Sequence, residues 1–362
     1  MIARRVRARR PELPIVVGGH HATTRPEDYL GEVDWVVRHD GERPLRRLCE
    51  AWPARPDATE VLDGGAFDQG EVDPIDWDRY GPETWERALW VGTSRGCAFK
   101  CRFCVEPERG ARYSRHTVEH QIDILERLVH RASPRVIAFS DPLFGGNRAW
   151  LEAFLDRLSR RALPVMFWCE TRADLMTPAL LEAFLANEFM VDFGLDAANE
   201  TMVRRMGKAA RPEVYLERAR ATFDHANRIG LHHGIYLIFN FPGETPETTR
   251  ASQAWIESLG AGAGPMAGWL SCQTFFVLPG TDSYARMAEH AETLGTRVAH
   301  PTWWLEHGDH YRLATDVLPS AAWRGREEEL VAFRDWNARV NAAWSARYPP
   351  EVQAFRARFY LG

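Results

Sequence analysis

From residue 88 onward, short apolar runs alternate with amphipathic stretches six times, and this alternation constrains the fold more than any other feature of the sequence. The runs lie at 89–93, 135–140, 165–170, 190–195, 233–239 and 271–278, each of strand length and enriched in β-branched or aromatic residues. The stretches around 116–131, 147–161, 177–187, 212–229, 245–259 and 281–294 carry apolar residues at helical spacing. Strand–helix units in this order call for parallel pairing, because each helix returns the chain to the same end of the sheet. Right-handed crossovers then curl the sheet. The expectation is an α/β fold built on a partial (β/α)6, TIM-like barrel over 88–297, with its chemistry at the carboxyl ends of the strands.

The flanks read differently. Residues 1–52 show a helix end, a strand in Pro14-Ile15-Val16-Val17-Gly18-Gly19, a second strand at 33–37 and further helix. Residues 53–87 are rich in Pro, Asp and Gly with little periodicity, which predicts a linker. Residues 298–362 form a C-terminal substrate or cap region whose amphipathic helix, 322–346, is expected to pack across the barrel as a lid. The chain has 14 tryptophans. Trp303, Trp304, Trp323, Trp336 and Trp344 are read either as packing residues or as an aromatic wall over a planar substrate. His307 and His310 read as an exposed polar loop.

Composition removes several function classes. With 45% hydrophobic and 26% charged residues the chain can bury a large core. A net charge of −5 argues against a broad nucleic-acid footprint. No apolar run approaches the roughly 18 residues that cross a bilayer. The basic start MIARRVRARR lacks a hydrophobic signal core and is soon followed by Glu12, Glu27 and Asp28. A cytoplasmic protein is therefore expected.

Of six cysteines, Cys97, Cys101 and Cys104 fall within eight residues, in the string Gly96-Cys97-Ala98-Phe99-Lys100-Cys101-Arg102-Phe103-Cys104. A structural zinc site is one reading, but zinc wants four ligands, usually as two separated pairs, and the fourth would have to be His116 or His120. Three thiolates on one loop suit a [4Fe–4S] cluster whose fourth iron has no protein ligand. The loop directly follows the first barrel strand, at the carboxyl end of the sheet. Cys169 and Cys272, each within a strand, read as small buried hydrophobes.

The CxxxCxxC loop with Phe103 before its last cysteine resembles the radical S-adenosylmethionine (SAM) superfamily. That resemblance implies that Cys97, Cys101 and Cys104 hold the cluster and that the open iron chelates SAM. Reduction then cleaves SAM to methionine and a 5′-deoxyadenosyl radical, which abstracts hydrogen from an unactivated carbon. It also implies roles at other strand ends. Asp141 stands in a segment similar to "DDxF", with Pro142 in place of the second acid. Glu170 and Arg172 stand in one similar to "TRxD", and an arginine there would pair with the SAM carboxylate. Gly194-Leu195-Asp196-Ala197-Ala198-Asn199 is similar to "GLES", with Asp196 for the usual glutamate, and Lys208 matches the family lysine. Asn240, Pro242 and Gly243 lie in a turn similar to "GxPGET", whose backbone lies against adenine; Asn240 replaces a glycine.

Residues 13–50 resemble the second half of a Rossmann-like, cobalamin-binding domain. Gly18 and Gly19 match the glycine pair that lets the cobalamin tail approach backbone. The first half has no counterpart, and no DxHxxG histidine is present to ligate cobalt. Either Met1 is an internal start or the domain has decayed. The branch implies cobalamin as a further cofactor and C-methylation as the commonest reaction, with a cobalamin-independent oxidation, cyclisation or rearrangement as the alternative and a non-catalytic zinc scaffold as the remote one. A small-molecule or peptide substrate and an electron donor such as flavodoxin or ferredoxin complete the expectation.

Overall fold

The computed structural model describes residues 2–52, 54–71, 88–109, 113–262, 264–306, 317–318 and 320–361. Its central element is a six-stranded sheet in sequential order. The strands are β4 (Ala88–Val91), β5 (Val136–Phe139), β6 (Met166–Thr171), β7 (Phe189–Asp196), β8 (His233–Phe239) and β9 (Gly268–Thr274). Every neighbouring pair is parallel. This is the partial barrel expected from the six-fold alternation.

The connecting helices are α1 (Val118–Ala132), α2 (Arg148–Ser159), α3 (Pro178–Ala186), α4 (Pro212–Ile229) and α5 (Pro246–Gly260), and all but α4, which opens on Pro212, start where a side chain satisfies a free N–H group. Thr117, Asn147, Thr177 and Thr245 each accept from the third residue beyond. Alternate strand residues then divide between two faces. In β7, Phe189, Val191, Phe193 and Leu195 join the core under the helices. Met190, Asp192, Gly194 and Asp196 consequently face the lumen. Phe139, Phe144, Phe154, Phe167, Phe184 and Phe189 pack ring on ring in the outer core.

The C-terminal helix α6 (Glu327–Ser345) covers the sheet edge instead of lying over the mouth. The Asn341 amide donates to and accepts from the Leu270 backbone at 2.8 and 2.7 Å, completing the ladder of edge strand β9. Trp336 packs on Phe239 and donates to Glu257, Trp344 lies against Gly260, and Trp323 donates to the Glu244 carbonyl. Trp304 donates to Asp28. These four indoles pack the fold, while the Trp303 side chain lies outside the described residues. His307 and His310 lie outside the described residues.

The N-terminal unit is a small parallel sheet of β1 (Val16–Val17), β2 (Trp35–Arg38) and β3 (Glu60–Asp63). β3 corrects the reading of 53–87 as a linker: four residues of that stretch pair in register with β2, while 72–87 lie outside the described residues. The unit sits against the carboxyl face of the barrel. Arg95 pairs with Asp40 and Glu42, His20 lies 3.4 Å from Glu106, and a Cβ on Gly280 would run into Thr24. Among the described residues no helix is long and apolar enough to cross a membrane.

Candidate functional site

The cysteine loop leaves β4 through Thr93 and Ser94, and Asp141 at the end of β5 fixes that exit. Its buried carboxylate accepts from the Thr93 N–H at 3.1 Å, the Thr93 hydroxyl at 2.6 Å and the Ser94 hydroxyl. Burial pushes the Asp141 carboxyl up, against the pull of these bonds. Asp141 thus positions the loop and has its oxygens committed to it. Farther along, Arg102 N–H donates to the Met206 carbonyl at 2.9 Å, and Ser283 donates twice to the Arg102 carbonyl. Gly207 (φ +64°) lets the chain pass the loop, since a Cβ there would lie 3.3 Å from Arg102 Cγ. Phe103 packs against the barrel core.

Cys97, Cys101 and Cys104 are all free thiols and partly buried. Burial pushes the Cys101 thiol up, and pushes Cys104 up to about 11. A group bound as a cation or cluster has to offset that cost if the thiolates are to persist. Among the described residues no three His, Cys, Asp or Glu side chains converge as ligands of one metal ion. On a single zinc, Zn–S bonds of about 2.3 Å would bring three sulfurs within about 4 Å of each other. A cubane instead takes each thiolate on a separate iron. The donor set fits the cluster better than the single ion. His116, the suggested fourth zinc ligand, is buried beside Gln69 and the His120 ring, and burial lowers it to about 4.

Two cations stand beside Cys101. Lys208 donates to Asp196, and both are buried. Arg172 is also buried, held by Asp174 at 3.0 and 3.2 Å and by the Lys208 carbonyl at 3.0 Å, with its guanidinium 3.9 Å from the centre of the Phe99 ring. Its pairing with Asp174 leaves Nη1 buried without a hydrogen-bond partner. An orphaned guanidinium N–H against the cysteine loop is a ready donor to a carboxylate.

Two substitutions noted in the sequence have a backbone explanation. Asp196 (φ +63°) and Asn240 (φ +59°) end β7 and β8 in the left-handed region. Asn and Asp tolerate that region best after glycine, so Asn240 can replace a glycine there. Glu244 accepts from the Asn240 N–H and locks the turn. Pro242 is buried, and a Cβ on Gly243 (φ +82°) would lie 2.6 Å from Arg205 Nη1. Asn199 is placed elsewhere. Its Oδ1 caps the helix Glu200–Arg205 and its Nδ2 donates to Thr248 and Ser252, behind the strand end. Gly18 and Gly19 lie at the end of β1, next to the His20–Glu106 contact; Gly19 (φ +99°) has open space where a Cβ would be.

Glu170 points into the lumen, accessible to solvent but surrounded by protein, and burial together with Asp192 and Asp196 raises its carboxyl to about 7. Asp192 was not singled out in the sequence, because it sits inside an apolar run. Its signal is the two-residue alternation that puts it on the face of Gly194 and Asp196.

Residues 91–256 match the Radical SAM superfamily. The barrel is a radical SAM domain. Domains of that superfamily take a [4Fe–4S] cluster and SAM. The chain is 25% identical over 270 residues to an uncharacterized methyltransferase of Pyrococcus horikoshii, covering 68% of this chain and 58% of that one. It is equally identical, over 270 residues, to the anaerobic magnesium-protoporphyrin IX monomethyl ester cyclase of Rubrivivax gelatinosus, covering 66% and 48%. The chain thus spans about half the length of these curated relatives. In fold it is similar to the radical SAM methyltransferase TsrM of Kitasatospora setae, solved with tryptophan and a SAM analogue (TM-score 0.63, 20% identity, covering 81% of this chain and 61% of that one). It is also similar to the cobalamin-dependent radical SAM enzyme OxsB, with aqua-cobalamin and SAM bound (TM-score 0.62, 14% identity, 89% and 54%). The radical SAM match begins at the last residue of β4 and runs into α5, so it contains the whole cysteine loop.

Proposed function

We propose that this protein is a cobalamin-type radical SAM methyltransferase acting on an unactivated carbon of a small molecule or peptide. The observation that carries the reading is the placement of the N-terminal glycine turn. Gly18 and Gly19 end β1 beside His20, which reaches Glu106, two residues beyond the last cysteine of the loop. Two parallel sheets thereby present their carboxyl ends to one space, the position a corrinoid would need to exchange a methyl group with the barrel mouth. The TsrM and OxsB structures that share this fold hold cobalamin.

In this reading Cys97, Cys101 and Cys104 hold three irons and leave one for SAM. Bound there, the cluster supplies the electron that splits SAM into methionine and a 5′-deoxyadenosyl radical. Arg172 Nη1 takes the SAM carboxylate, with Asp174 and the Lys208 carbonyl fixing the rest of its fork. The Lys208–Asp196 pair keeps two buried charges beside Cys101 mutually neutral. The Asn240–Gly243 turn offers backbone to the adenine. A flavodoxin or ferredoxin is the electron donor.

Anaerobic reconstitution tests the reading. The expected protein is brown, carries about four irons per chain and forms 5′-deoxyadenosine from SAM under dithionite. It also retains hydroxocobalamin through gel filtration and accepts label on the corrinoid from methyl-labelled SAM. Alanine at any one of Cys97, Cys101 or Cys104 is expected to abolish the 5′-deoxyadenosine. One zinc and no iron would sink the proposal outright. Cleavage of SAM without corrinoid retention would leave a cobalamin-independent oxidation, cyclisation or rearrangement.

A further inference from the structure

Beneath the cysteine loop the lumen carries a second polar cluster that SAM binding does not use. Strand register sets it in one layer. Glu170 of β6 pairs with Asp192 of β7, Asp192 with Gly234 of β8, and Gly234 with Trp269 of β9. The next layer down holds Trp90, Ala138 and Trp168 in the same way.

Asp192 is 1% exposed, and its two oxygens have different fates. Oδ2 accepts from the Tyr236 hydroxyl at 2.5 Å and the Trp168 indole at 2.8 Å. Oδ1 and Trp269 Nε1 complete no hydrogen bond of good geometry, although the indole N–H and the Gly234 N–H stand close enough to Asp192 to draw its carboxyl down. Both lie over Gly234, where a Cβ would be 2.2 Å from Asp192 Oδ1 and 2.7 Å from Trp269 Nε1. A buried acceptor held this loosely still has a lone pair to offer a better-placed donor. The Glu170 carboxylate, one strand away, makes no hydrogen bond among the described residues. Trp90 stands edge-on to Trp168 at 5.3 Å and is 57% exposed, a large apolar face left open on the lumen side.

We infer that this layer binds the substrate's positively charged nitrogen, so that the substrate is a small organic amine, protonated at neutral pH. An N–H of the ammonium satisfies Asp192 Oδ1, Glu170 shares its charge, and the adjoining carbon skeleton lies on Trp90 and Trp168. Two carboxylates in one layer repel an anionic ligand, and indole faces attract a cation. The ionisation of both acids agrees: burial holds Asp192 up at about 6, and burial with its acidic neighbours holds Glu170 up at about 7, a cost that a cation removes. The inference rests on the radical SAM reading only for the statement that this ligand is the substrate.

The test is calorimetric titration of the anaerobically reconstituted, SAM-loaded enzyme at pH 7.5 with 2-phenylethylamine and its neutral counterpart 2-phenylethanol. The amine is expected to bind at least tenfold more tightly. Glu170→Gln and Asp192→Asn should each reduce that preference to threefold or less, while Trp90→Ala weakens both probes. Thermal melting of each variant checks folding. If Asp192→Asn fails to fold, Glu170→Gln, altered at a solvent-accessible side chain, decides. Equal binding of the two probes, no binding of either, or a preference that survives Glu170→Gln overturns the inference. The radical reading is scored separately, by 5′-deoxyadenosine formed without probe. If none forms but the amine preference stands and falls with Glu170, the cation site is upheld and the radical reading fails.

Discussion

The barrel and the N-terminal unit are both parallel α/β sheets, yet they are held together by different forces. The barrel encloses one continuous apolar cluster that runs from Leu89 to Val352. Among the described residues the N-terminal sheet has a separate, small cluster of Ala22, Val33 and Val36, with Ala3, Ile15, Val17 and Tyr29 partly buried against it. Its organising residue is polar. Asp34 accepts from Arg7 at 2.7 Å, from Arg55 at 2.9 Å and from the Ile15 N–H at 2.7 Å, which ties the first helix, β1 and the segment before β3 to one carboxylate. A unit this small cannot bury enough apolar area alone. It leans on the barrel through Arg95, Glu106, Gly280 and Trp304. The expected consequence is that the half facing the mouth loosens before the half that holds the cysteines.

Deleting apolar volume in each half gives the largest contrast. Phe144 is fully buried and touches the rings of Phe139, Trp150, Phe154 and Phe189. Phe144→Ala is expected to cost about 4 kcal/mol and to lower the midpoint of global denaturant unfolding. Val36→Ala removes less volume, about 2 kcal/mol by the same reasoning. Its effect should appear as faster hydrogen exchange confined to β1–β3. Equal loss of protection in β7 and β8 would show that the two halves unfold as one.

Asp34→Asn probes the polar pin. It keeps the shape but removes the charge facing two arginines, at a cost of about 2 kcal/mol. Burial pushes the Asp34 carboxyl up, but the bonds from Arg7, Ile15 and Arg55 outweigh it and hold it below the usual range. A depressed carboxyl contributes stability above the unfolded value near 4, and the contribution fades as pH falls through the folded value. Trypsin cleavage within residues 2–52 should therefore accelerate in the variant at pH 7. In the wild type, N-terminal exchange protection should drop below pH 4, before the barrel's does. A variant as resistant as the wild type would locate the pin elsewhere.

How much of this was legible beforehand also differs between the halves. The barrel strands were readable because each is an apolar run bounded by polar caps, and 233–239 and 212–229 coincide with the observed elements. β3 was not, since Glu60-Val61-Leu62-Asp63 has two charged ends and leaves Val61 exposed. The cysteines declared themselves by spacing. The polar residues of the strand ends declared only their position, because hydrogen-bond partners distant in sequence decide their task. Asp141 is occupied by Thr93 and Ser94, and Asn199 by Thr248 and Ser252, whereas Arg172 keeps a free N–H. Arg172→Lys sharpens that distinction. A lysine keeps charge but loses the fork, so SAM affinity by equilibrium dialysis should fall about tenfold, or about 1.4 kcal/mol. Unchanged affinity would place the SAM carboxylate on another group.

The last contrast sets Asp34 against a carboxylate of the barrel with the opposite tendency. Glu244 is buried in the turn after β8, and burial raises it to about 8 despite bonds from Asn240, Thr249 and Phe241. The unfolded chain loses this proton near 4.5 and the folded chain near 8, so the folded state holds it in between. Stability from this group therefore declines as pH rises across that window, by at most about 1.4 kcal/mol per pH unit. Glu244→Gln keeps an acceptor for the Asn240 N–H and cannot ionise. Its melting temperature should be flatter than the wild type's between pH 5 and pH 8, with the two curves diverging on the alkaline side. Acid should then loosen the N-terminal unit first and alkali the barrel turn first. Parallel melting curves for the two proteins would mean that Glu244 ionises freely in the folded state and that its burial does not govern the turn.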